Sequence, residues 1–149
     1  MTETQAFVEI SSRSAAELAE KYVALWNEPD ADRRRRMIAE LWAEDGRHIL
    51  QPPQEIRAIA AQPGIAMTAI LEAQGHEEIA ARVTSAYEHW VGSEGLSFRG
   101  RDDADRLGDV VKLHWEAVAK DGTVFAVGLS FLVLAADGRI ARDYTFIVG

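Results

Sequence analysis

Four histidines are the first side chains in this sequence that could do chemistry, and their spacing limits what that chemistry is. His48, His76, His89 and His114 form no HxxxH pair, so the sequence does not indicate a metal site. The chain contains no cysteine, which excludes thiolate catalysis, disulfides and a cysteine-based zinc site. The glycines fall in predicted turns, at helix ends and once inside a strand, and none forms a phosphate-cradling loop. We therefore expect no cofactor, and any catalysis would rest on acid/base chemistry by carboxyl, imidazole and hydroxyl groups.

The size and composition of the chain indicate one globular unit. Its 149 residues predict a single domain over 1–149, with a loosely ordered tail at 1–13. The content of 48% hydrophobic and 27% charged residues is typical of a soluble protein. No apolar run could span a membrane and MTETQAFVEISSRS does not resemble a signal peptide, so we expect a cytoplasmic protein without membrane contacts.

The net charge of −8 at pH 7 argues against nucleic acid as a partner. The one basic cluster, at 33–36, covers four consecutive positions of a predicted helix. Its side chains therefore point around most of the helix circumference instead of forming a stripe. We interpret this cluster as a solvated helix face.

Three antiparallel strands are predicted between residues 109 and 148, and they are the elements most able to position functional groups. Asp-Gly pairs at 121–122 and 137–138 separate apolar runs, which is the pattern of tight hairpin turns. The predicted strands are VVKLHWEAVAK (110–120), TVFAVGLSFLVL (123–134) and RIARDYTFIV (139–148).

Alternation along the first two strands assigns their faces. The first strand has one dry and one charged face, formed respectively by Val111, Leu113, Trp115 and Ala117 and by Lys112, His114 and Glu116. The second strand is apolar on both faces, so it must be covered twice, by helices of its own chain and by a second subunit. We therefore expect a homodimer formed through the outer face of the sheet.

Two helices are predicted before the first strand. A capping box of Ser14 and Glu17 predicts the start of the first helix, whose apolar stripe is Leu18, Tyr22, Leu25 and Trp26. Asp30 is a suitable N-cap for the second helix, which is expected to end at Asp45-Gly46 and to bury Met37, Ile38, Leu41 and Trp42. A short strand follows at 47–51, closed by two prolines.

The middle of the chain combines a segment of weak pattern with a long helix. Residues 54–74 predict two short helical pieces broken at Pro63-Gly64, and their apolar content suits a lid or lining of a pocket. A long helix is predicted from His76 to Trp90, ended by Gly92, and a strand at 96–101 follows. Helices first and strands last indicate an α+β domain, with a strongly curved, mostly antiparallel sheet wrapped around the N-terminal helices and the long helix.

This order of elements and two stretches of sequence resemble the nuclear transport factor two-like superfamily, in particular its SnoaL-like polyketide cyclase and ketosteroid isomerase branch. The stretches are EKYVALWNEPDADRRRRMIAELWAEDGRHILQPP (20–53) and FLVLAADGRIARDYTFI (131–147). The resemblance implies a cone-shaped, cystatin-like α+β roll. Because this superfamily includes isomerases, cyclases, epoxide hydrolases and non-catalytic binding modules, it specifies the fold better than the reaction.

The resemblance implies a role for one tyrosine. It also shows that this chain lacks the two carboxyl groups that ketosteroid isomerases use. Tyr22 corresponds to the tyrosine that donates a hydrogen bond to the oxyanion in ketosteroid isomerases, although a tyrosine on an apolar helix face is also an ordinary core residue. The position of the isomerases' general base falls on Leu50 or Gln51, neither of which can accept a proton. Ser130 stands nearest to their second oxyanion acid. The sequence therefore argues against steroid isomerisation by that mechanism.

The same resemblance implies a substitute carboxyl group in the last strand. It places Asp143, Thr145 and Ile147 on the pocket side, where desolvation would raise the pKa of Asp143 into a range suited to acid/base work. His48 is its predicted partner, provided that the strand register turns His48 inward. In the alternative interpretation Asp143 pairs with an arginine or caps a backbone amide, and His48 lies in solvent.

These inferences lead to a functional hypothesis with two alternatives. The leading hypothesis is a cofactor-free enzyme that binds a hydrophobic, carbonyl-bearing, polyketide- or steroid-like ligand and catalyses proton transfer, isomerisation or cyclisation. Asp143, His48 and Tyr22 would be catalytic. The alternatives are a non-catalytic ligand-binding or interaction module and a cofactor-free epoxide hydrolase. The predicted ligand-binding pocket consists of Trp26, Trp42, Leu50, Tyr87, Trp90, Leu113, Trp115, Ser130 and Thr145.

Overall fold

The computed structural model describes the backbone of residues 3–64 and 70–149, and the side chains from residue 15 onward except 55, 56 and 65–69. Helices lie mainly in the first half of the chain and strands mainly in the second, as the sequence predicts, although two short strands, β2 and β4, were not predicted. The helices are α1 (Glu3–Asn27), α2 (Ala31–Leu41), α3 (Gln54–Ala60) and α4 (Gly75–Ala86), which continues into a π-helical segment (Tyr87–Ser93). The strands are β1 (Trp42–Leu50), β2 (Leu71–Gln74), β3 (Ser97–Gly100), β4 (Asp105–Leu107), β5 (Val110–Val118), β6 (Val124–Leu134) and β7 (Ile140–Ile147).

The strands form one curved, unclosed sheet in the order β2-β1-β7-β6-β5-β3, and β4 pairs with β5 beside β3. All pairings are antiparallel except that of β1 with β7, which is parallel. The α+β class and the mostly antiparallel sheet are therefore confirmed. The parallel pair places the N-terminal half of the chain beside its last strand.

Both predicted hairpins are confirmed, and the turn chemistry is visible. Gly122 and Gly138 adopt φ values of +89° and +86°, a left-handed conformation that glycine adopts at little cost. The side chain of Asp121 accepts from the amide of Thr123 at 2.9 Å, and Asp137 accepts from Arg139 at 3.0 Å. These Asx turns hold the three long strands in register.

The first helix begins earlier than predicted. Its backbone is helical from Glu3, so the Ser14–Glu17 pattern lies inside the helix and does not mark its start. A Ser-x-x-Glu pattern is compatible with a helix interior as well as with an N-terminus, which explains the error. The looseness of 1–13 stays a prediction. The apolar stripe is confirmed, since Tyr22 and Leu25 are buried in the core.

The boundary between α2 and β1 also differs from the prediction. Asp30 caps α2 as expected, accepting from the amides of Asp32 and Arg33. However, α2 ends at Leu41, and the strand begins at Trp42 and continues through Asp45-Gly46. A β-bulge between Trp42 and Arg47 accommodates this pair, so the Asp-Gly signal marks an irregularity within a strand and not a helix stop.

Gly46 is required in this bulge because of close packing. A Cβ at position 46 would lie 2.7 Å from Cδ1 of Trp42, 2.9 Å from the carbonyl oxygen of Ala43 and 3.0 Å from that of Ile140. Two of these three neighbours are backbone atoms, which cannot move without disturbing the β1–β7 pairing. Trp42 is itself fully buried in the core.

The sequence suggested that the arginine cluster at 33–36 is a solvated helix face, but the structure shows that only part of it is solvated. Arg33 and Arg36 are exposed, but Arg34 is buried. The Arg34 guanidinium donates to the carbonyl of Glu28 at 2.8 Å and lies 5.1 Å from the ring centroid of Tyr87. Its long side chain therefore joins α2 to the π-helical segment.

The middle of the chain contains further differences. The short helix predicted near Ile59 is confirmed as α3, but Leu71–Gln74 forms a strand paired with β1 instead of a helical turn. Residues 65–69 of the predicted second helical piece lie outside the described residues. The long helix is confirmed but continues past Gly92, and Gly95 follows it with a φ of +70°. Strand β4 was not predicted, because its charged sequence lacks apolar alternation.

The core lies between the inner face of the sheet and helices α1, α2 and α4. The predicted inward residues of β5, Val111, Leu113 and Ala117, are buried. The outer face of β6 and β7 retains partly exposed apolar side chains, among them Phe131 and Phe146 with ring centroids 5.9 Å apart. Among the described residues, no helix combines the length and apolarity that crossing a bilayer would need.

The close packing at Gly46 predicts a selective loss of stability on adding one methyl group. We expect Gly46→Ala to lower the free energy of unfolding by about 1–3 kcal/mol, because the new Cβ overlaps backbone atoms. Gly92→Ala is the matched control, since a Cβ there meets only the carbonyl of Tyr87 at 3.6 Å. The control should be neutral or gain up to about 1 kcal/mol. Urea denaturation measures the free energy of unfolding of both variants. Equal stabilities would contradict the packing described for the bulge.

Candidate active site

A cavity of about 470 Å³ opens between the inner face of the sheet, α1, α3 and the end of α4. Its wall is mainly apolar and rich in aromatic side chains. Of the predicted pocket residues, the wall includes Trp26, Leu50, Trp90, Trp115 and Thr145. Two residues of the predicted catalytic group, Tyr22 and His48, also line it.

Four predicted pocket residues lie outside this wall. Trp42 is in the core, with its ring centroid 5.9 Å from that of Tyr22. Tyr87 lies under the guanidinium of Arg34, and Leu113 borders a smaller cleft on the other side of α1. Ser130 is fully buried behind the wall. Apolar periodicity assigns these side chains to the interior but does not separate core positions from cavity positions.

Two aromatic side chains of the wall were not predicted. Phe98 on β3 is the register partner of Ala117, and its ring centroid lies 5.6 Å from that of Trp115. Alternation along β3 could have identified it. Phe125 shared a face with the outward residues of β6 in the sequence pattern, but a register shift between Ala117 and Val118 displaces it. It reaches the cavity rim, where its ring centroid is 5.6 Å from that of Trp90.

Asp143 faces inward as predicted, but it lies one layer behind the cavity wall. Its carboxyl group is fully buried and contributes nothing to the described lining. The Tyr22 hydroxyl donates to Oδ2 at 2.6 Å, and the Thr145 hydroxyl donates to Oδ1 at 2.7 Å. Nε2 of His48 lies 3.6 Å from Oδ2. The three side chains that contact Asp143 therefore separate it from the cavity, and all three line that cavity.

Strand register brings these groups together. In the parallel β1–β7 ladder, His48 stands beside Asp143, and in the β6–β7 ladder Ser130 stands beside Thr145. The open question of the strand register is answered, because His48 is buried and turned inward. Tyr22 reaches the same point from α1. The alternative interpretation, with His48 in solvent and Asp143 paired to an arginine outside the cavity, is wrong.

A chain of hydrogen bonds with a fixed direction ends on Asp143. The indole Nε1 of Trp115 can only donate, and it donates to the Ser130 hydroxyl at 3.1 Å. The hydroxyl groups of Ser130 and Thr145 lie 2.8 Å apart. Since Thr145 donates its proton to Asp143, it accepts from Ser130. Trp115, Ser130 and Thr145 therefore orient successive donors toward the carboxyl group.

Gly128 makes the position of the indole possible. Trp115 and Gly128 are register partners on β5 and β6. A Cβ at position 128 would lie 2.0 Å from two ring carbons of Trp115, so the indole lies across the bare backbone of this glycine. This explains the one glycine found within a predicted strand.

Arg82 is a charged residue of the site that sequence reasoning missed. It lines the cavity, and its NH1 lies 3.1 Å from Nδ1 of His48 and 3.0 Å from the His48 carbonyl oxygen. A charged residue in a helix suggested solvent exposure. Its spacing was the available signal, because Arg82 follows Ile79 by three positions and precedes Ala86 by four, which places all three on one helix face.

Arg82 determines the tautomer of His48. A guanidinium has no acceptor, so Nδ1 of His48 must accept from it. The neutral imidazole then carries its proton on Nε2, which faces Asp143. Burial, followed by the charge of Arg82, lowers the pKa of His48 to about 3, so the ring is neutral at physiological pH.

Burial dominates the electrostatics of Asp143 and Tyr22. It raises the pKa of Asp143 to about 7, against the opposing effects of hydrogen bonds from Tyr22 and Thr145 and of the Arg82 charge. Burial and the neighbouring Asp143 raise the pKa of Tyr22 well above its usual value. Although the His48–Asp143 distance is compatible with an ion pair, we assign a neutral pair near pH 6, because Arg82 disfavours a second positive charge.

This arrangement can move a proton but is not a metal site. In the part of the chain that the structure describes, no three His, Asp or Glu side chains converge on a point that could hold a metal ion. A carboxyl group that titrates near neutrality, connected to a cavity by a tyrosine hydroxyl, can give or take a proton at the cavity surface.

Comparison with solved structures supports the predicted resemblance. No protein-family model matches the sequence, and no curated protein matches it. A solved structure from Agrobacterium tumefaciens, a candidate isomerase of the SnoaL-like family, has 26% sequence identity and a TM-score of 0.73, with 92% of this chain and 99% of that chain covered. The chain therefore has the fold of the SnoaL-like, nuclear transport factor two-like superfamily.

Two further structures are similar to this SnoaL-like chain in fold. A SnoaL-like protein of unknown function from Burkholderia thailandensis has 18% identity and a TM-score of 0.62, with coverage of 92% of this chain and 97% of that one. A ketosteroid isomerase-like protein from Catenulispora acidiphila, in complex with trimethylamine, has 18% identity and a TM-score of 0.57, with coverage of 87% and 83%. The predicted family resemblance is confirmed.

The neutral pair in this SnoaL-like chain predicts opposite pH dependences for two variants. The pKa of Asp143 is higher in the folded protein than in the unfolded chain. Asp143 therefore contributes stability that is lost as pH rises from 3.8 towards about 7. The pKa of His48 is lower in the folded protein than in the unfolded chain. The folded protein therefore gains stability from His48 as pH rises from about 3 to 6.5. In the wild type the two effects oppose each other between these values.

We therefore expect the stability of Asp143→Asn, relative to wild type, to rise by up to about 1.4 kcal/mol per pH unit between roughly pH 4.5 and 6.5. The relative stability of His48→Gln should fall by a similar amount over the same range. Urea denaturation at several pH values gives both slopes. Flat differences in this window would contradict the shifted pKa values of both groups. Because an ion pair carries the same total number of protons and gives the same slopes, carbon-13 NMR of the Asp143 carboxyl group near pH 6 distinguishes the two, and the signal of an ionised carboxylate would contradict the neutral pair.

Proposed function

We propose that this protein is a cofactor-free enzyme that binds a hydrophobic, carbonyl-bearing small molecule and catalyses proton transfer on it, as in isomerisation or ring closure. The observation that carries the proposal is the buried Asp143, whose pKa of about 7 and 2.6 Å hydrogen bond from Tyr22 connect a titrating carboxyl group to an apolar cavity. The similarity to a candidate SnoaL-like isomerase supports it.

The apolar cavity suits a flat ligand with one polar group. Aromatic side chains on several sides of the cavity, among them Trp26, Phe98 and Trp115, offer ring faces and edges for stacking. The polar groups of Tyr22, His48 and Thr145 gather at one part of the wall, where Asp143 lies behind them. A carbonyl oxygen directed at Tyr22 would place the reacting centre beside this group.

Tyr22 acts as a relay between Asp143 and the ligand. When Asp143 is ionised, the Tyr22 hydroxyl donates to Oδ2. When Asp143 is protonated, its own proton is donated to the Tyr22 oxygen, which frees the Tyr22 proton for a carbonyl or enolate oxygen in the cavity. In the acid step the O–H bond of Tyr22 breaks as its proton joins the ligand oxygen, while the Asp143 proton restores the tyrosine. The reverse movement takes a proton from the ligand.

The non-catalytic binding module remains the second candidate, and one observation favours it. Asp143 exposes no surface and does not line the cavity, so a ligand cannot touch the carboxyl group directly. The epoxide hydrolase hypothesis has less support. It requires several carboxylates around one water, and no described residue of the wall is an aspartate or glutamate.

Loss of the relay predicts loss of turnover. We expect Asp143→Asn and Tyr22→Phe each to lower the isomerisation rate of a β,γ-unsaturated cyclic ketone by at least about 100-fold, because general acid/base catalysis contributes this much. Ultraviolet absorbance of the conjugated product measures the rate. Tyr144→Phe is the matched control, since that hydroxyl contacts only Arg142 on the outer face among the described residues.

Circular dichroism and thermal unfolding must show that each variant is folded. A fully active Asp143→Asn variant would refute the proposed function. Ketone binding by a wild-type protein that gives no product would favour the binding module.

We also propose that a second copy of the chain covers the outer face of the sheet. The partly exposed Val127, Leu129, Phe131 and Phe146 form a continuous apolar surface there, which supports this arrangement. We expect Phe131→Asp to shift the protein from dimer to monomer in sedimentation velocity, because a buried carboxylate would be unpaired. Glu40→Asp, an exposed change on α2, is the control, and a wild-type monomer at micromolar concentration would contradict the dimer.

A further inference from the structure

The charged side chains that the structure describes in the cavity wall are all of one sign. Arg57 of α3 and Arg82 of α4 both line the cavity, and no described wall residue is an aspartate or glutamate. The carboxyl group behind the wall, Asp143, has a pKa of about 7 and is therefore only partly ionised at pH 7. The acidic groups whose charges act on Arg82, namely Asp143, Glu72 and Glu78, all lie outside the wall, so the two guanidinium groups face the cavity without a described carboxylate beside them.

Arg82 has no carboxylate partner among the described residues. Its NH1 donates to the carbonyl oxygen atoms of His48 and Leu71, at 3.0 and 3.2 Å. Glu72, the nearest acidic group on β2, is instead paired with Arg47. Burial lowers the pKa of Arg82 from its ordinary value, as expected for a cation that is partly removed from water.

Arg57 is fixed at the same end of the cavity. Its Nε donates to the carbonyl oxygen of Pro52 at 3.1 Å, which leaves the terminal nitrogens of its guanidinium without a hydrogen bond among the described residues. Pro52 lies two residues after Leu50, and Leu50 is the register partner of Leu71, whose carbonyl binds Arg82. Both guanidinium groups are therefore anchored at the end of the β1–β2 ladder.

From this placement we infer that the ligand of the cavity is an aromatic or polycyclic carboxylic acid, bound as its anion, with the carboxylate held by Arg57 and Arg82 and the ring system among the aromatic side chains. The guanidinium fork matches carboxylate geometry. The inference rests on the proposed function in using the same cavity as the substrate site. It adds the charge of the substrate, which neither the carbonyl chemistry nor the superfamily specifies.

The test compares 2-naphthoate with 2-naphthamide, a neutral compound of nearly the same shape. We expect wild-type protein to bind naphthoate at least roughly tenfold more tightly than naphthamide by isothermal titration calorimetry, because hydrogen bonds to charged groups exceed those between neutral groups. Arg57→Gln and Arg82→Gln should each reduce this ratio by about fivefold or more, while the naphthamide affinity stays within about twofold. Arg36→Gln, an exposed arginine on α2, should leave the ratio unchanged.

Three results would overturn the inference. These are equal affinities for the two compounds in the wild type, an unchanged ratio in both cavity variants, and no binding of either compound. The failure of the proposed function is a separate result: an active Asp143→Asn variant removes the acid/base role but leaves the naphthoate preference intact. Equal affinities combined with a relay-dependent turnover would instead remove only the carboxylate assignment.

Discussion

The burial of one carboxyl group is the constraint on which the rest of this site depends. Asp143 has no exposed surface, and removing a carboxyl group from water is costly unless hydrogen bonds replace the lost solvent. Two hydroxyl donors, from Tyr22 and Thr145, and the nearby imidazole of His48 occupy its surroundings. These groups come from α1, β7 and β1, so the carboxyl group is satisfied only when three distant parts of the chain have assembled.

The parallel pair of strands brings part of this environment together. The β1–β7 ladder places His48 beside Asp143, although the two residues are far apart in sequence. The hairpin between β6 and β7 places Ser130 beside Thr145 and completes the row of hydroxyl groups. The topology thus brings a helix and three strands to one point, while the aromatic side chains shape the space in front of it. The residues that satisfy the buried carboxyl group are therefore also residues that pack the elements together.

Sequence reasoning was most successful where local chemistry determines structure. The two hairpins follow from Asp-Gly pairs whose backbone conformation only a few residues adopt, and the dry face of β5 follows from alternation, whereas the inward face of β7 was implied by the family resemblance. It failed where a non-local contact overrides a local signal. Asp45-Gly46 reads as a helix stop, but close packing against Trp42 and Ile140 makes it a bulge in a strand. Phe125 is displaced by a register shift that no pattern within its own strand reveals.

The site was predictable in part for the same reason. Tyr22, His48 and Asp143 could be nominated from residue type and predicted face. Which of them borders the cavity and which lies behind its wall could not be predicted. Whether a side chain borders a cavity or lies behind it depends on how three elements pack, and so Asp143 was expected at the surface that Tyr22 and His48 occupy. Arg82 was missed because a charged helical residue suggests solvent, although its spacing from Ile79 indicates the inner face.

The contact between Trp115 and Gly128 has a consequence for how relatives of this chain can vary. The indole lies where any β-carbon at position 128 would be, so the two positions cannot change independently. A related sequence that carries a larger residue at position 128 must carry a smaller one at position 115, and it then loses the indole donor to Ser130. This pair of positions is therefore a marker in sequence for the hydrogen-bond chain, and it can separate relatives that retain this hydrogen-bond chain from relatives that share only the fold.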